Sequence, residues 1–231
     1  MSLSFDAQRH QEDIQKNLVK TLRIFRKERL MAVIRTDDAE DAIWGGRLLL
    51  ESGFRILDIT YGIPDTERVI ETLANEFPKA LIGAGTVLTP RQALGALSAG
   101  ASFLASPVLD QDMLAFGTEY KLLILPGVST PTEMANAMHW GAHALKFFPA
   151  EHFGGADFIK TVLAPLPDLP IVATGGISVD RMADYWQAGA MAVGIGNYLL
   201  PTEALKSRDE GLIAKRAKSA LGKRDAFFSA D

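Results

Sequence analysis

The sequence predicts an α/β fold, a (β/α)8 TIM barrel with an extra N-terminal helix. Three observations carry the prediction. Eight short β-rich runs begin at intervals of about 20 to 27 residues, and helical segments lie between them. The runs are apolar almost throughout, as expected of parallel strands buried on both faces. Eight β-then-α units imply that the sheet closes on itself. An open doubly wound sheet would show the same alternation, but no Gly-x-Gly-x-x-Gly follows the first run to form a dinucleotide crevice.

Residues 1–29 precede the repeats. They are strongly charged, yet Ile14, Leu18, Leu22 and Phe25 recur at helical spacing. This predicts an amphipathic helix lying across one end of the body. The barrel and a C-terminal helix then occupy 30–231. Its strands are expected at LMAVIR (30–35), RILDIT (55–60), ALIGAG (80–85), SFLAS (102–106), KLLILP (121–126), HALKFF (143–148), PIVATG (170–175) and MAVGIG (191–196). Helices are expected at Ala39–Leu50, Asp65–Phe77, Pro90–Ala99, Asp110–Glu119, Pro131–Trp140 and Val179–Ala188. The pairs Thr89-Pro90 and Thr130-Pro131 supply a capping hydroxyl followed by a proline suited to the first helical position. Gly53, Gly100, Gly141 and Gly189 mark helix ends, where a left-handed residue is needed.

Composition narrows the function. The 231 residues carry a net charge of −4, spread along the chain, which argues against a nucleic-acid surface. The apolar runs are too short to span a membrane. No secretory signal is visible, and the absence of cysteine excludes disulfides, thiolate metal sites and a cysteine nucleophile. A cytoplasmic protein fits these features. The four histidines are His10, His139, His143 and His152. His139 and His143 are four apart, but Gly141 interrupts the helix and no carboxylate stands at ligand spacing, so no metal site is expected.

In a barrel of this kind, function collects at the C-terminal ends of the strands. There Lys146 stands alone in the apolar run HALKFF. Burying its ammonium is costly, which would lower its pKa and make it a usable amine nucleophile. The alternative is a lysine that snorkels to solvent or pairs with a buried carboxylate. Strand parity places Asp58 and Thr60 on one face, and Lys146 and Phe148 on one face. Asp58 facing Lys146 would be a structural ion pair or an acid/base beside a nucleophile. Arg35, ending the first strand, would grip a carboxylate or simply lie at the surface. Gly175-Gly176 and Gly196-Asn197 follow the last two strands, the usual phosphate cradle of the fold, and each is expected to lead into a helix start. The plainer reading is two tight turns.

The motifs GAGTVLTP (83–90), Ser106-Pro107, LPGVSTPTE (125–133), KFFPAE (146–151) and ATGGIS (173–178), in that order, resemble those of the 2-keto-3-deoxy-6-phosphogluconate (KDPG) and 4-hydroxy-2-oxoglutarate (KHG) aldolases. The resemblance runs from about Leu30 to Pro201. It implies a cofactor-free, metal-free Schiff-base aldolase on a (β/α)8 barrel. The enzyme would be a homotrimer and would act on a small, phosphorylated keto acid. It further implies that Lys146 forms the imine with pyruvate and that Asp58 is the acid/base. Thr86 would contact the pyruvate carboxylate, with Pro107 and Phe148 as apolar walls. Gly175, Gly176, Gly196 and Asn197 would hold the phosphate. The chain departs from the family pattern at three places. Asp58 replaces a glutamate, Gly62 stands where many members have an arginine, and Asn197 replaces a common serine. A form of the family lacking that arginine has Pro-Asp, as at Pro64-Asp65, and uses the arginine that ends strand 1, here Arg35. Two rival readings are another phosphate-binding barrel enzyme, of the epimerase or thiamine-phosphate synthase type, and a non-catalytic homologue that binds a phosphorylated ligand.

Overall fold

The structure is a computed structural model that describes residues 5–229, with side chains from residue 17 onward. Residues 1–4 of the predicted N-terminal unit, and the side chains of His10 and Ile14, therefore lie outside the described residues. The chain opens with α1 (Phe5–Glu28). A single parallel sheet follows: β1 (Leu30–Ile34), β2 (Ile56–Thr60), β3 (Leu81–Gly85), β4 (Phe103–Ala105), β5 (Leu123–Leu125), β6 (Gly127–Val128), β7 (Leu145–Phe147), β8 (Ile171–Thr174) and β9 (Ala192–Ile195). Helices pack outside it: α2 (Ala39–Glu51), α3 (Thr66–Glu76), α4 (Pro90–Ser98), α5 (Gln111–Tyr120), α6 (Pro131–His139), α7 (Gly155–Leu163), α8 (Met182–Gln187), α9 (Thr202–Ser207) and α10 (Glu210–Phe228).

The sheet runs β5-β4-β3-β2-β1-β9-β8-β7-β6, so its two ends are consecutive pieces of one chain segment. Nine strands therefore stand where eight were expected, because pairing resumes at Gly127–Val128, just past the Pro126 that ends the fifth run. Proline has no amide to donate to a ladder. Its carbonyl instead accepts from the Lys146 amide at 2.8 Å, while the carbonyl of Leu125 accepts from Ser106 at 3.0 Å. The segment thus pairs with β4 before the proline and with β7 after it, closing the barrel across a kink.

The expected caps form. Thr89 and Thr130 accept from the third amide of their helices, and Thr130 makes a reciprocal capping box with Glu133. Gly53, Gly100, Gly141 and Gly189 all have positive φ.

Two apolar clusters organise the molecule. The larger lies between strands and outer helices. The smaller fills the barrel interior at its N-terminal end, where Met31, Ile56, Leu81, Phe103 and Val172 meet Leu18 and Phe25 of α1. Phe25 is fully buried and meets the Phe103 ring edge-on, with centroids 5.0 Å apart. The amphipathic face expected at Leu18, Leu22 and Phe25 thus seals one mouth of the barrel.

Candidate active site

Strand parity carries the apolar plug upward into a polar layer. Met31 is followed on its face by Val33 and Arg35, Ile56 by Asp58 and Thr60, Ala144 by Lys146 and Phe148, and Val172 by Thr174. The lower residues pack in the interior, and the upper ones reach the C-terminal mouth.

Lys146 and Asp58 project from opposite walls and meet. The Lys146 ammonium donates to Asp58 Oδ2 at 3.4 Å; Lys146 is 5% exposed and Asp58 fully buried. The other carboxylate oxygen, Oδ1, has no hydrogen-bond partner among the described residues. It lies against Gly85, where a Cβ would overlap it. The same strand carries Gly83, whose missing side chain is filled by the Phe103 ring. The alternation in GAGTV therefore makes room for a ring below and a carboxylate above. Burial pushes the Asp58 carboxyl above its usual range, and the charges of Lys146 and Arg35 only partly oppose that rise.

A cavity of about 500 Å³ opens above this pair. Lys146 forms its floor, and Phe148 stands beside it, with the ammonium 5.7 Å from the ring centroid. Arg35 is exposed on the rim and has no ion-pair partner among the described residues. Gly175, Gly176, Gly196 and Asn197 line the far side. Gly175 has φ +98 and Gly176 φ +81, a backbone path suited to glycine. A Cβ on Gly175 would stand 2.9 Å from the Phe148 ring, so the loop after β8 is pressed onto the segment after β7. Of the helix starts expected behind these loops, one forms and one does not. Behind Gly175-Gly176 a 3-10 turn, Val179–Arg181, runs directly into α8, whereas behind Gly196-Asn197 α9 begins only at Thr202.

Two residues expected in the site follow β3 and β4 at this same end of the barrel. Thr86 and Pro107 are half-buried and do not line the cavity. Thr86 has φ +56, a strained conformation for a β-branched residue, directly after the glycine that accommodates Asp58. The Pro107 backbone packs against Gly127 beside the split strand.

Other residues join the site unannounced by the sequence. Thr174 lines the cavity, is 2% exposed, and its hydroxyl has no partner among the described residues. Its parity with Val172 was the available signal. His152 and Tyr198 also line the cavity, each one residue beyond a recognised motif. Tyr198 is held by Arg216 of α10, whose guanidinium donates to its carbonyl at 2.7 Å.

A family described as KDPG and KHG aldolase matches residues 22–215. The chain belongs to the KDPG and KHG aldolase family. The KHG/KDPG aldolase of Escherichia coli strain K12 is 34% identical over 192 residues, covering 83% of this chain and 90% of that protein. A Legionella pneumophila KDPG aldolase structure, with pyruvate captured as a covalent carbinolamine, superposes with a TM-score of 0.79 at 31% identity. The match covers 85% of this chain and 96% of that one. The KDPG aldolase of Zymomonas mobilis with 3-phosphoglycerate also gives 0.79, at 28% identity, covering 88% and 94%. The exposed Gly62 has nothing within 4 Å of a Cβ built on it, and Arg35 is the guanidinium at the cavity rim.

Proposed function

We propose that the chain is a class I aldolase that cleaves a 4-hydroxy-2-keto acid, foremost KDPG to pyruvate and glyceraldehyde 3-phosphate, through an imine on Lys146. The observation that carries this reading is the buried Lys146–Asp58 pair at the floor of an open cavity. The pyruvate carbinolamine of the Legionella protein supports it.

With its proton passed to Asp58, the Lys146 amine adds to the C2 carbonyl; that proton then leaves with the carbinolamine hydroxyl as water, giving a protonated imine and the Asp58 carboxylate. Asp58, directly or through one water, takes the C4 hydroxyl proton. The C3–C4 bond then breaks, its electron pair becoming the enamine as the aldehyde departs. Protonation at C3 and hydrolysis release pyruvate and restore the amine. Because the imine is the electron sink, the reaction calls on no metal or organic cofactor. Arg35 grips the substrate carboxylate, Phe148 packs against the pyruvate carbons, and the loops at Gly175-Gly176 and Gly196-Asn197 hold the distal phosphate. Thr86 and Pro107 act from behind the wall, shaping the segments around Asp58 and the split strand. The 3-phosphoglycerate bound by the Zymomonas protein supports a phosphorylated substrate.

The same proposal treats residues 1–29 as a sealing helix added to a barrel over 30–231, working as a cytoplasmic homotrimer. The exposed Leu88, Leu94 and Val108, in segments following the neighbouring strands β3 and β4, suit a subunit contact. Among the described residues no helix is long and apolar enough to cross a membrane.

The test is reduction with borohydride in the presence of pyruvate, read by mass spectrometry. A single adduct on Lys146, absent from Lys146→Ala, is expected. Labelling that persists in that variant would remove Lys146 from the mechanism. Imine formation without turnover of any 4-hydroxy-2-keto acid would favour the non-catalytic homologue.

A further inference from the structure

The cavity above Lys146 is built to receive negative charge. Its titratable lining groups are Arg35, Lys146, His152 and Tyr198, with no carboxylate among them. Asp58 lies beneath the floor, paired to Lys146. Glu151 packs its Cβ and Cγ 2.8 and 3.5 Å from where a Gly176 Cβ would be, and its carboxylate is neutralised: Arg181 of the turn before α8 donates to one oxygen, and the Tyr185 hydroxyl donates to the other at 2.6 Å.

That neutralised glutamate also fixes its neighbour. Residues Ala150–Phe153 form a single 3-10 turn. The Glu151 amide donates to the Gly175 carbonyl at 3.0 Å, and the His152 amide to the Pro149 carbonyl at 3.1 Å. The turn is thereby tied both to the glycine loop and to α8. In this setting the His152 ring points at the loop: its Nε2 lies 3.8 Å from where a Gly176 Cβ would be. The ring makes no hydrogen bond among the described residues, and it lines the cavity. The amides of Gly175 and Gly176 likewise donate to no backbone acceptor among the described residues. An imidazole N–H and two free amides thus border the same outer corner.

We propose that His152 is a specificity residue, donating through its ring nitrogen to a terminal phosphate monoester seated against Gly175 and Gly176. Strand β7 and the turn that follows it thereby supply the floor lysine and one wall of the distal anion site. The donor is a side chain, so it can be removed without touching the glycine backbone. Asn197, across the corner, offers only a neutral amide, and Arg35 is assigned to the keto-acid end. His152 is therefore the side chain that distinguishes a phosphate-terminated substrate from one ending in an alkyl group. This rests on the aldolase reading only for the identity of the substrate; the anion site itself does not.

The experiment uses two measurements on the full chain. In the first, glycerol 3-phosphate, a phosphate monoester with no keto group, is titrated calorimetrically into the parent, His152→Ala and His152→Gln. Loss of one donor to a charged oxygen should weaken binding about tenfold in His152→Ala. The glutamine, which keeps an N–H donor, should recover most of it. In the second, KM and kcat are compared for KDPG and for 4-hydroxy-2-oxopentanoate, which ends in a methyl group. His152→Ala should raise KM for KDPG about tenfold with little change in kcat, and should affect the methyl-terminated substrate far less. Equal affinity of parent and His152→Ala for glycerol 3-phosphate overturns the proposal. So does an equal loss on both substrates, which would mark His152 as structural. A parent that binds glycerol 3-phosphate through His152 but forms no imine with pyruvate would overturn the aldolase reading and uphold the anion site.

Discussion

Asp58 and Lys146 meet across the whole width of the barrel, at 3.4 Å, from strands β2 and β7 that stand four places apart in the sheet. The contact takes one carboxylate oxygen and leaves the other buried without a partner. A structural ion pair gains most when every lone pair is satisfied. This one is held short of that, next to a cavity, with a carboxyl that burial has moved above its usual range. Such an arrangement suits proton transfer.

The pH dependence follows from that direction. Asp58 must be deprotonated to accept the C4 proton, so activity falls as pH drops through its pKa. A pKa raised by burial places the acid limb of kcat/KM above the ordinary aspartate value of about 4. Asp58→Asn should nearly abolish cleavage while pyruvate trapping on Lys146 survives in part. Asp58→Glu, one methylene longer, should keep activity or raise it. Turnover of Asp58→Asn equal to the parent would reduce Asp58 to a structural partner of Lys146.

Gly85→Ala offers a second handle on the same carboxylate. The added Cβ overlaps Asp58 Oδ1, so the aspartate must move. Overpacking of this kind costs about 1–3 kcal/mol of stability. The expected result is a lower melting temperature together with a kcat loss larger than any change in KM. Unaltered kcat in a folded Gly85→Ala protein would show that the position of Asp58 does not limit turnover.

Arg35→Ala should leave the fold intact, because the side chain is exposed and has no ion-pair partner among the described residues. Loss of a charge-assisted contact to the substrate carboxylate costs on the order of 1.5–3 kcal/mol, roughly ten- to a hundredfold in kcat/KM. Arg35→Lys should recover part of this. Steady-state kinetics with unchanged kcat/KM would take Arg35 out of the site.

Much of this was readable from the chain because strand parity is unforgiving. Once Met31, Ile56, Ala144 and Val172 face inward, Arg35, Asp58, Lys146 and Thr174 must follow. The same rule, carried one strand further, would have added Thr174, which lies two residues past Val172. The split of the fifth strand needed knowledge of what β4 and β7 present on either side of Pro126. Thr86 illustrates a different limit. Its left-handed backbone is imposed by tertiary surroundings, against its own preference, so no local pattern announces that conformation. His152 owes its direction to Glu151, Arg181 and Tyr185, and the last two are some thirty residues distant. The helix start expected behind Gly196-Asn197 failed for a related reason: a glycine signals a turn, but not how far the chain runs before a helix begins.

The Phe25–Phe103 contact at the closed end bears on kinetics as well as stability. With that end plugged, the well above Lys146 has one opening, and on the proposed reading a substrate enters keto end first. When C3–C4 breaks, the aldehyde half lies nearest the opening, while the pyruvate half is still bonded to Lys146. Release is then ordered, aldehyde first and pyruvate last. Pyruvate would bind the free enzyme as a competitive product inhibitor, whereas the aldehyde would recombine with the loaded form and inhibit noncompetitively.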